Sequence, residues 1–320
     1  MKVAIISDIH ANLEALEATL LAISGEGADR MVCLGDIVGY NTNPAECLAL
    51  LRGVEALCVA GNHDRAVTRQ ITTAEFSGTA ARAVAWTRRR LHCDAVRFLS
   101  ELPLEASIGD RLVAVHGALH SEGGRETVRL DSEERRRLSF EALVAHPSGA
   151  RICAFGHTHQ LGTFEFRDNV VRTLSAEEIQ IRDDAYYLIN PGTVGQPCHL
   201  GCPATYLVVD FARKCVTARH VAYDFSASVA KTRRAGLLPF RAYVPAPMRR
   251  ALKRCARPLG LYRRSRDIDR DLRGPGFMSG PETTYDVDDL SDAPPRRQIG
   301  TSDLSLVSRC LTIPRQLGWF

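Results

Sequence analysis

The sequence predicts an α/β (α+β) fold in which two β-sheets lie face to face with helices outside, and three observations carry that prediction. From Lys2 to Asp64, short β-branched runs alternate with stretches of helical apolar spacing, the pattern of an α/β sheet. From Gly162 onward, period-two runs follow one another, which marks antiparallel strands. Five polar clusters each close an apolar strand-like run, and sheets of this class build sites at strand carboxyl ends.

Lys2 to Ile6 reads as a buried strand ending at Ser7-Asp8. Ala11 to Ser24 reads as a helix with Leu13, Leu16, Leu20 and Ile23 on one face, Asn12 as its cap and Gly25 as its stop. Asp29 to Leu34 is the next strand, followed by the loop Gly35-Asp36-Ile37-Val38-Gly39-Tyr40 and a helix opened by Pro44. Ala56 to Ala60 is a third strand, closed by Gly61-Asn62-His63-Asp64. Thr73 to Leu102 reads as mostly helix with a break near Cys93-Asp94. Leu104–Ile108 and Arg111–Val115 form a hairpin around Gly109-Asp110 and end on His116. Leu119 to Leu130 is polar and Gly-rich, a mobile loop, and Ser132 to His146 is an amphipathic helix. Arg151 to Phe155 is a strand that ends at Gly156-His157-Thr158-His159. The period-two runs are Gly162–Arg167, Val170–Leu174, Ile179–Arg182, Tyr186–Ile189, Thr205–Asp210 and Cys215–His220, and Ser226–Ala235 is a closing helix stopped by Gly236.

A chain of 320 residues with 45% hydrophobic residues and a mean hydropathy of −0.12 buries a full core. No run approaches the roughly 20 apolar residues of a spanning helix, and the apolar start is too short for a secretory signal. The ten cysteines are scattered through core-like runs, which reads as buried free thiols in a reducing cytoplasm. Cys198 and Cys202 form a lone C-x₃-C, a weak zinc signal. The net charge of +4 hides an asymmetry: residues 1–225 carry 23 Lys+Arg against 28 Asp+Glu, and residues 226–320 carry 18 against 9. The expected organisation is a domain over 1–252 and a basic tail over 253–320, where low hydrophobicity and Pro/Gly punctuation read as disorder. That tail reads as a solvated segment, with an anionic partner such as nucleic acid or a membrane surface as the alternative.

The clusters are Asp8-Ile9-His10, Gly35-Asp36, Gly61-Asn62-His63-Asp64, Val115-His116-Gly117 and Gly156-His157-Thr158-His159, and they hold five of the ten histidines. Each alone reads as a turn, a cap or a surface loop, so the signal lies in their conjunction. Asp36 offers two anionic oxygens that can span two cations, Asp8 another carboxylate and Asn62 an amide oxygen. His10, His116, His157 and His159 offer imidazole nitrogens. Mixed N/O ligation favours Mn, Fe, Zn or Ni over Mg or Ca, and manganese is the first expectation. Two such ions form a clamp for phosphoryl chemistry. His63, beside Asn62, is placed to protonate a leaving oxygen or steady transition-state charge.

This ordered set resembles the calcineurin-like metallophosphoesterase superfamily. Gly35-Asp36-Ile37-Val38-Gly39-Tyr40 and Ile189-Asn190-Pro191-Gly192-Thr193-Val194-Gly195-Gln196-Pro197 look like its compact bacterial and archaeal phosphodiesterase branch. The resemblance covers roughly Met1 to Leu252. It implies a four-layer αββα sandwich of two mixed sheets with a dinuclear site between them. Asp8, His10, Asp36 and His159 would hold the first metal, and Asp36, Asn62, His116 and His157 the second, with His63 catalytic. Asn12, Asn190 and Gly192 are substrate-side candidates, although Asn190-Pro191-Gly192 reads equally as a turn after a strand.

The resemblance also implies a phosphodiesterase acting on a small or nucleotide-type substrate through a metal-bound hydroxide. The alternatives are a phosphomonoesterase, a phosphoprotein phosphatase or a non-catalytic scaffold of the same fold. Three departures stand out. Many superfamily members place a histidine-orienting Asp where this chain has Gly39. Asn41 occupies a position where the branch usually has Gly. Ala118-Leu119 replaces the more usual Ser-Pro after His116-Gly117. Specificity is expected in the loops after Tyr40, Arg65, Gly117 and Gly195.

Overall fold

Two six-stranded mixed sheets form the centre of the molecule, as a computed structural model describing residues 1–120, 124–196 and 202–238 shows. The first sheet has the order β3-β2-β1-β11-β12-β9, with β1 (Lys2–Ile6), β2 (Arg30–Cys33), β3 (Leu57–Cys58), β9 (Glu178–Gln180), β11 (Ala204–Asp210) and β12 (Cys215–Val221). Its β1, β2 and β3 run parallel, and β11 joins β1 antiparallel with Val3 opposite Val209. The second sheet has the order β4-β5-β6-β10-β7-β8, with β4 (Glu105–Ile108), β5 (Leu112–Val115), β6 (Ile152–Ala154), β7 (Leu161–Arg167), β8 (Val170–Leu174) and β10 (Tyr186–Pro191). There β5, β6 and β10 are the parallel strands.

Alternation along each strand divides the apolar side chains between two faces. Val3, Ile5, Val32 and Leu34 meet Leu112, Ala114, Ile152, Tyr187 and Ile189 in a dry layer between the sheets. On the outer face of the first sheet, Ala4, Ile6 and Cys33 pack against Ala15, Leu16 and Leu20 of α1 (Leu13–Glu26) and Cys47, Leu48 and Leu51 of α2 (Pro44–Gly53). On the outer face of the second, Val113, Cys153 and Leu188 pack against Phe140 and Leu143 of α6 (Glu133–Val144). The result is the expected αββα order of layers. Between α2 and β4 lie α3 (Asn62–Val67), α4 (Gly78–Arg88) and α5 (Cys93–Glu101), and α7 (Phe225–Arg234) closes the described chain.

Side-chain caps set several helix starts. Asn12 Oδ1 accepts the Ala15 N–H at 3.2 Å, Ser132 Oγ that of Arg135 at 3.3 Å, and Asp224 Oδ1 that of Ala227 at 2.9 Å. Some expected boundaries move. Gly25 lies inside α1, and the helix stops at Gly27, whose φ of 64° supplies the left-handed cap. The break expected near Cys93-Asp94 is present at residues 89–92, between α4 and α5. The third strand shortens to two residues, and Asn62 begins α3 instead of ending a loop. The loop expected to be mobile is packed where it is described: Leu119, Glu126 and Leu130 are buried, and Ala118 N donates to Arg125 O at 2.8 Å. Cys33, Cys47, Cys58, Cys153 and Cys215 are buried and unpaired, as expected. Cys198 and the basic tail over 253–320 lie outside the described residues. No helix among the described residues is long and apolar enough to cross a membrane.

Candidate metal centre

The five clusters meet at one end of the sandwich because parallel strands deliver their carboxyl ends to the same edge. The loops after β1 and β2 keep pairing beyond the sheet: Asp8 N donates to Gly35 O at 3.1 Å, His10 N to Asp36 O at 2.9 Å and Ala11 N to Ile37 O at 2.9 Å. Asp8, His10, Asp36, His157 and His159 all adopt left-handed backbone, with φ of 54°, 51°, 51°, 63° and 58°. Such residues cost on the order of 1–3 kcal/mol each. Ile9 and Ile37, fully buried between them, and the loop-to-loop hydrogen bonds hold this backbone in place. The strain is therefore held by its surroundings.

Each inward-facing side chain divides its two polar atoms between the protein and the centre. Asp8 Oδ2 accepts from Ser7 Oγ at 2.6 Å and His157 N at 3.1 Å, while its Oδ1, buried and without a hydrogen bond, lies 3.1 Å from His159 Nε2 and 3.7 Å from His10 Nε2. Asp36 Oδ1 accepts the His63 N–H at 2.8 Å, and its Oδ2 lies 3.7 Å from His10 Nε2 and 3.4 Å from His116 Nε2. His10 Nδ1 faces the Val38 carbonyl at 3.3 Å and His116 Nδ1 the Leu34 carbonyl at 2.7 Å. A carbonyl only accepts, so both Nδ1 atoms carry the proton and each Nε2 presents a lone pair. His10 Nε2 then sits 3.1 Å from His159 Nε2, and His116 Nε2 sits 3.1 Å from Asn62 Oδ1. With both imidazoles neutral, these lone pairs face buried oxygens, an arrangement that a cation satisfies and that, without one, a second proton on His116 relieves in part. Asp8, His10 and His159 form one group able to hold a metal, and Asp36, His116 and His157 another.

In both sheets the motifs, their order and now their convergence are those of one family, and the comparison with known proteins decides the matter. The model of the calcineurin-like phosphoesterase superfamily domain matches residues 1–214. The chain belongs to this superfamily. It is 34% identical over 233 residues to an uncharacterized protein of Methanocaldococcus jannaschii, spanning 72% of this chain and 90% of that one. A metallophosphoesterase from Sphaerobacter thermophilus is similar in structure, with a TM-score of 0.61 and 32% identity over 75% of this chain and 96% of its own. A hypothetical protein from Pyrococcus horikoshii OT3 shares the fold at a TM-score of 0.61 and 17% identity, over 75% of this chain and 95% of its own. Metallophosphoesterases use divalent metals, and the donor set here fits them.

The charges agree with that fit. Burial opposes ionisation of Asp8 and Asp36, but the surrounding imidazoles outweigh it and hold both carboxyls below the ordinary carboxylate range. Burial keeps His10 neutral, its pKa down to about 3 against the pull of Asp36. Burial, with His116 and Arg129 nearby, holds His157 well below its ordinary value. His116 differs: burial opposes its protonation, yet the Asp36 carboxylate prevails and lifts its pKa to about 9. Metal-free protein thus keeps a proton on His116 where a cation would otherwise balance the carboxylates. A group whose folded pKa is raised stabilises fully below its unfolded value and loses that contribution as pH rises through the folded one. Metal-free protein should therefore lose thermal stability between about pH 6.5 and 9, read by unfolding scans in chelator at stepped pH. Saturating Mn²⁺ should flatten the decline, and a Tm constant over this window without metal would contradict it.

The catalytic candidate His63 lies between three rings, with centroids at 4.8 Å from Tyr40, 5.0 Å from Phe76 and 4.9 Å from His10. Its Nδ1 is buried with no hydrogen bond. Burial lowers its pKa, although Asp36 pulls the other way. Gly39 stands directly against that nitrogen, and a Cβ there would collide with it. No carboxylate faces His63 from position 39, and the groups against the imidazole are the three rings.

The substrate-side candidates Asn12, Asn190 and Gly192 make hydrogen bonds within the protein. Asn12 spends its oxygen on the α1 cap and its amide on Gly195 O at 3.0 Å. Asn190 donates to Gly156 O and Thr158 Oγ1, both at 3.0 Å, and accepts the Gly192 N–H at 2.8 Å, closing a turn in which Gly192 has a φ of 78°. Four further contributors carry no site role in the sequence reading. Asp64 accepts N–H groups from Gly61 and Ile37 at 3.0 Å and Val38 at 3.2 Å, tying α3 to the Asp36 loop. Ser7 and Thr193 fix Asp8 from its carboxylate and its carbonyl, the latter at 2.8 Å. Arg129 Nη1 donates to His157 O at 3.2 Å. Asp64 supplies only half of a capping box, accepting the Gly61 N–H, since glycine has no side chain to return the bond.

Proposed function

We propose that the protein is a phosphoester hydrolase dependent on two divalent cations, preferring phosphodiesters of small or nucleotide-type substrates. The single observation that supports it best is Asp36: one oxygen is fixed by the His63 N–H and the other lies between the two histidine groups. Asp8, His10, Asp36 and His159 would hold one ion, and Asp36, Asn62, His116 and His157 the other. Bound there, a divalent pair supplies Lewis-acid charge to phosphoryl oxygens and acidifies water. Manganese is the first choice, with iron, zinc and nickel compatible with the same donors.

The chain's own residues do the rest. The backbone N–H of His63 holds Asp36 in one orientation, and Ser7 does the same for Asp8, so the inward oxygens keep their aim. His63, beside the shared carboxylate, protonates the leaving oxygen or steadies charge that develops on the phosphoryl group. Asn12, Asn190 and Gly192 keep the surrounding turns in place. The diester preference rests on the resemblance of Gly35–Tyr40 and Ile189–Pro197 to the phosphodiesterase branch, and the buried unpaired cysteines fit a cytoplasmic location.

The test sets bis(p-nitrophenyl) phosphate beside p-nitrophenyl phosphate, a phosphopeptide and a cyclic nucleotide, with Mn²⁺ and then the other three metals. Diester turnover above monoester turnover is expected. Faster release of phosphate from the monoester or the phosphopeptide would replace the diester reading. No turnover with any metal would leave a non-catalytic scaffold.

A further inference from the structure

Asn41, the departure in the Asp36 loop, is the starting point. Its backbone N–H donates to Gly39 O at 2.7 Å, which closes a three-residue turn with Tyr40 at the centre. Tyr40 has a φ of 53°, so this turn is of the rare, strained γ kind and persists only where neighbours hold it. The Asn41 side chain supplies that hold: Nδ2 donates to His10 O at 3.0 Å and Gly195 O at 3.3 Å. Its Oδ1 accepts from Thr232 Oγ1 at 3.0 Å, a hydroxyl that also faces the Ser228 carbonyl at 2.9 Å. Thr232 belongs to α7, is buried, and has beside it Lys231, whose ammonium pairs with Glu14 at 2.5 Å and reaches Asn43 Oδ1 at 3.3 Å.

The same segment also packs against α4. Leu237, just past α7, is buried with Ala83 and Trp86 of α4. Arg82 Nη2 donates to Leu238 O at 2.7 Å and Leu237 O at 3.3 Å. The α4 cap is Ser77, accepting Ala80 N at 3.2 Å, and the residue before it is Phe76, whose ring lies against His63. One segment, residues 225–238, thus touches both the Tyr40 turn and α4, the helix that Phe76 precedes.

We propose that residues 225–238 act as a clamp that positions His63 by pressing the Tyr40 and Phe76 rings against it, with Thr232 and Asn41 as positioning residues on the Tyr40 side and Leu237 on the Phe76 side. The clamp replaces, by packing, the orienting carboxylate that Gly39 excludes. Its effect on turnover rests on the reading of His63 as the catalytic imidazole; its effect on the ring does not.

The test is Thr232→Val, which removes the hydroxyl, with Thr232→Ser as the conservative control and Leu237→Ala on the opposite wall. In metal-free protein, nuclear Overhauser contacts between the His63 and Tyr40 rings should weaken in Thr232→Val and return in Thr232→Ser. Leu237→Ala should weaken the Phe76 contacts instead. In Mn²⁺-loaded protein of unchanged metal content, Thr232→Val should lower kcat roughly 5- to 10-fold, the worth of one hydrogen bond, with KM unchanged. Wild-type ring contacts in Thr232→Val overturn the clamp, even where the melting temperature falls. Weakened contacts with unchanged kcat uphold the clamp and count against the catalytic role of His63.

Discussion

Asp36→Asn should strip the protein of both ions and lower kcat/KM by about 10³-fold or more, the several kcal/mol that a metal pair supplies to phosphoryl transfer. Asparagine is the informative replacement. Its side-chain oxygen can still accept the His63 N–H that Asp36 Oδ1 accepts at 2.8 Å. It also tolerates the left-handed backbone at this position. What disappears is the charge on Oδ2, between His10 and His116. Elemental analysis should find close to no bound metal in Asp36→Asn, whereas Asp8→Ala and His116→Ala should each lose mainly one ion. The metal-free variant should be less stable than metal-free wild type at neutral pH, because the carboxylate that pairs with protonated His116 has lost its charge. Two ions retained in Asp36→Asn would remove the shared-ligand reading.

His63→Ala should keep the metal content and lower kcat about 10²- to 10⁴-fold, the usual range for a positioned acid or base. The imidazole is outside the proposed ligand set, although its nitrogen lies close enough to His10 and Asp36 to form a third potential metal group. Metal analysis separates the two roles: loss of an ion from His63→Ala would make it a ligand. Leaving groups separate its two chemical roles. A proton donor matters little for nitrophenolate and much for an alkoxide, so the defect should grow as the leaving group becomes more basic. A defect equal across the series would assign His63 to charge stabilisation.

The two-sheet αββα architecture and the meeting of the five clusters were both open to reading in the sequence, for a common reason. Asp8, Asp36, His116 and His157 each terminate a parallel strand, and strand ends carry local signals of apolar run, glycine and polar residue. Boundaries decided by backbone conformation were less accessible: Gly25 and Gly27 are equivalent on paper, and only the φ of 64° at Gly27 selects the helix stop. Least accessible were contacts between distant segments. Nothing local in Tyr40 or Phe76 announces that both will enclose His63, and Thr232 reaches Asn41 across 191 positions of chain. Glu126 was hidden for the opposite reason. It sits in a stretch whose composition reads as mobile, yet it is buried and paired with Arg65.

The placement of β1 has a consequence for how the protein is made. Strand β1 lies in the middle of its sheet, between β2 and β11, and its antiparallel neighbour, which ends at Asp210, is synthesised about 200 residues later. Until then one edge of Val3-Ala4-Ile5-Ile6 stays open, apolar on both faces, for about 200 residues or roughly 10–40 s of synthesis at ~5–20 residues per second. Open apolar edges recruit other strands. The nascent chain is most exposed to aggregation in that interval, and Lys2, at the strand's start, is the one charge on that edge to discourage it.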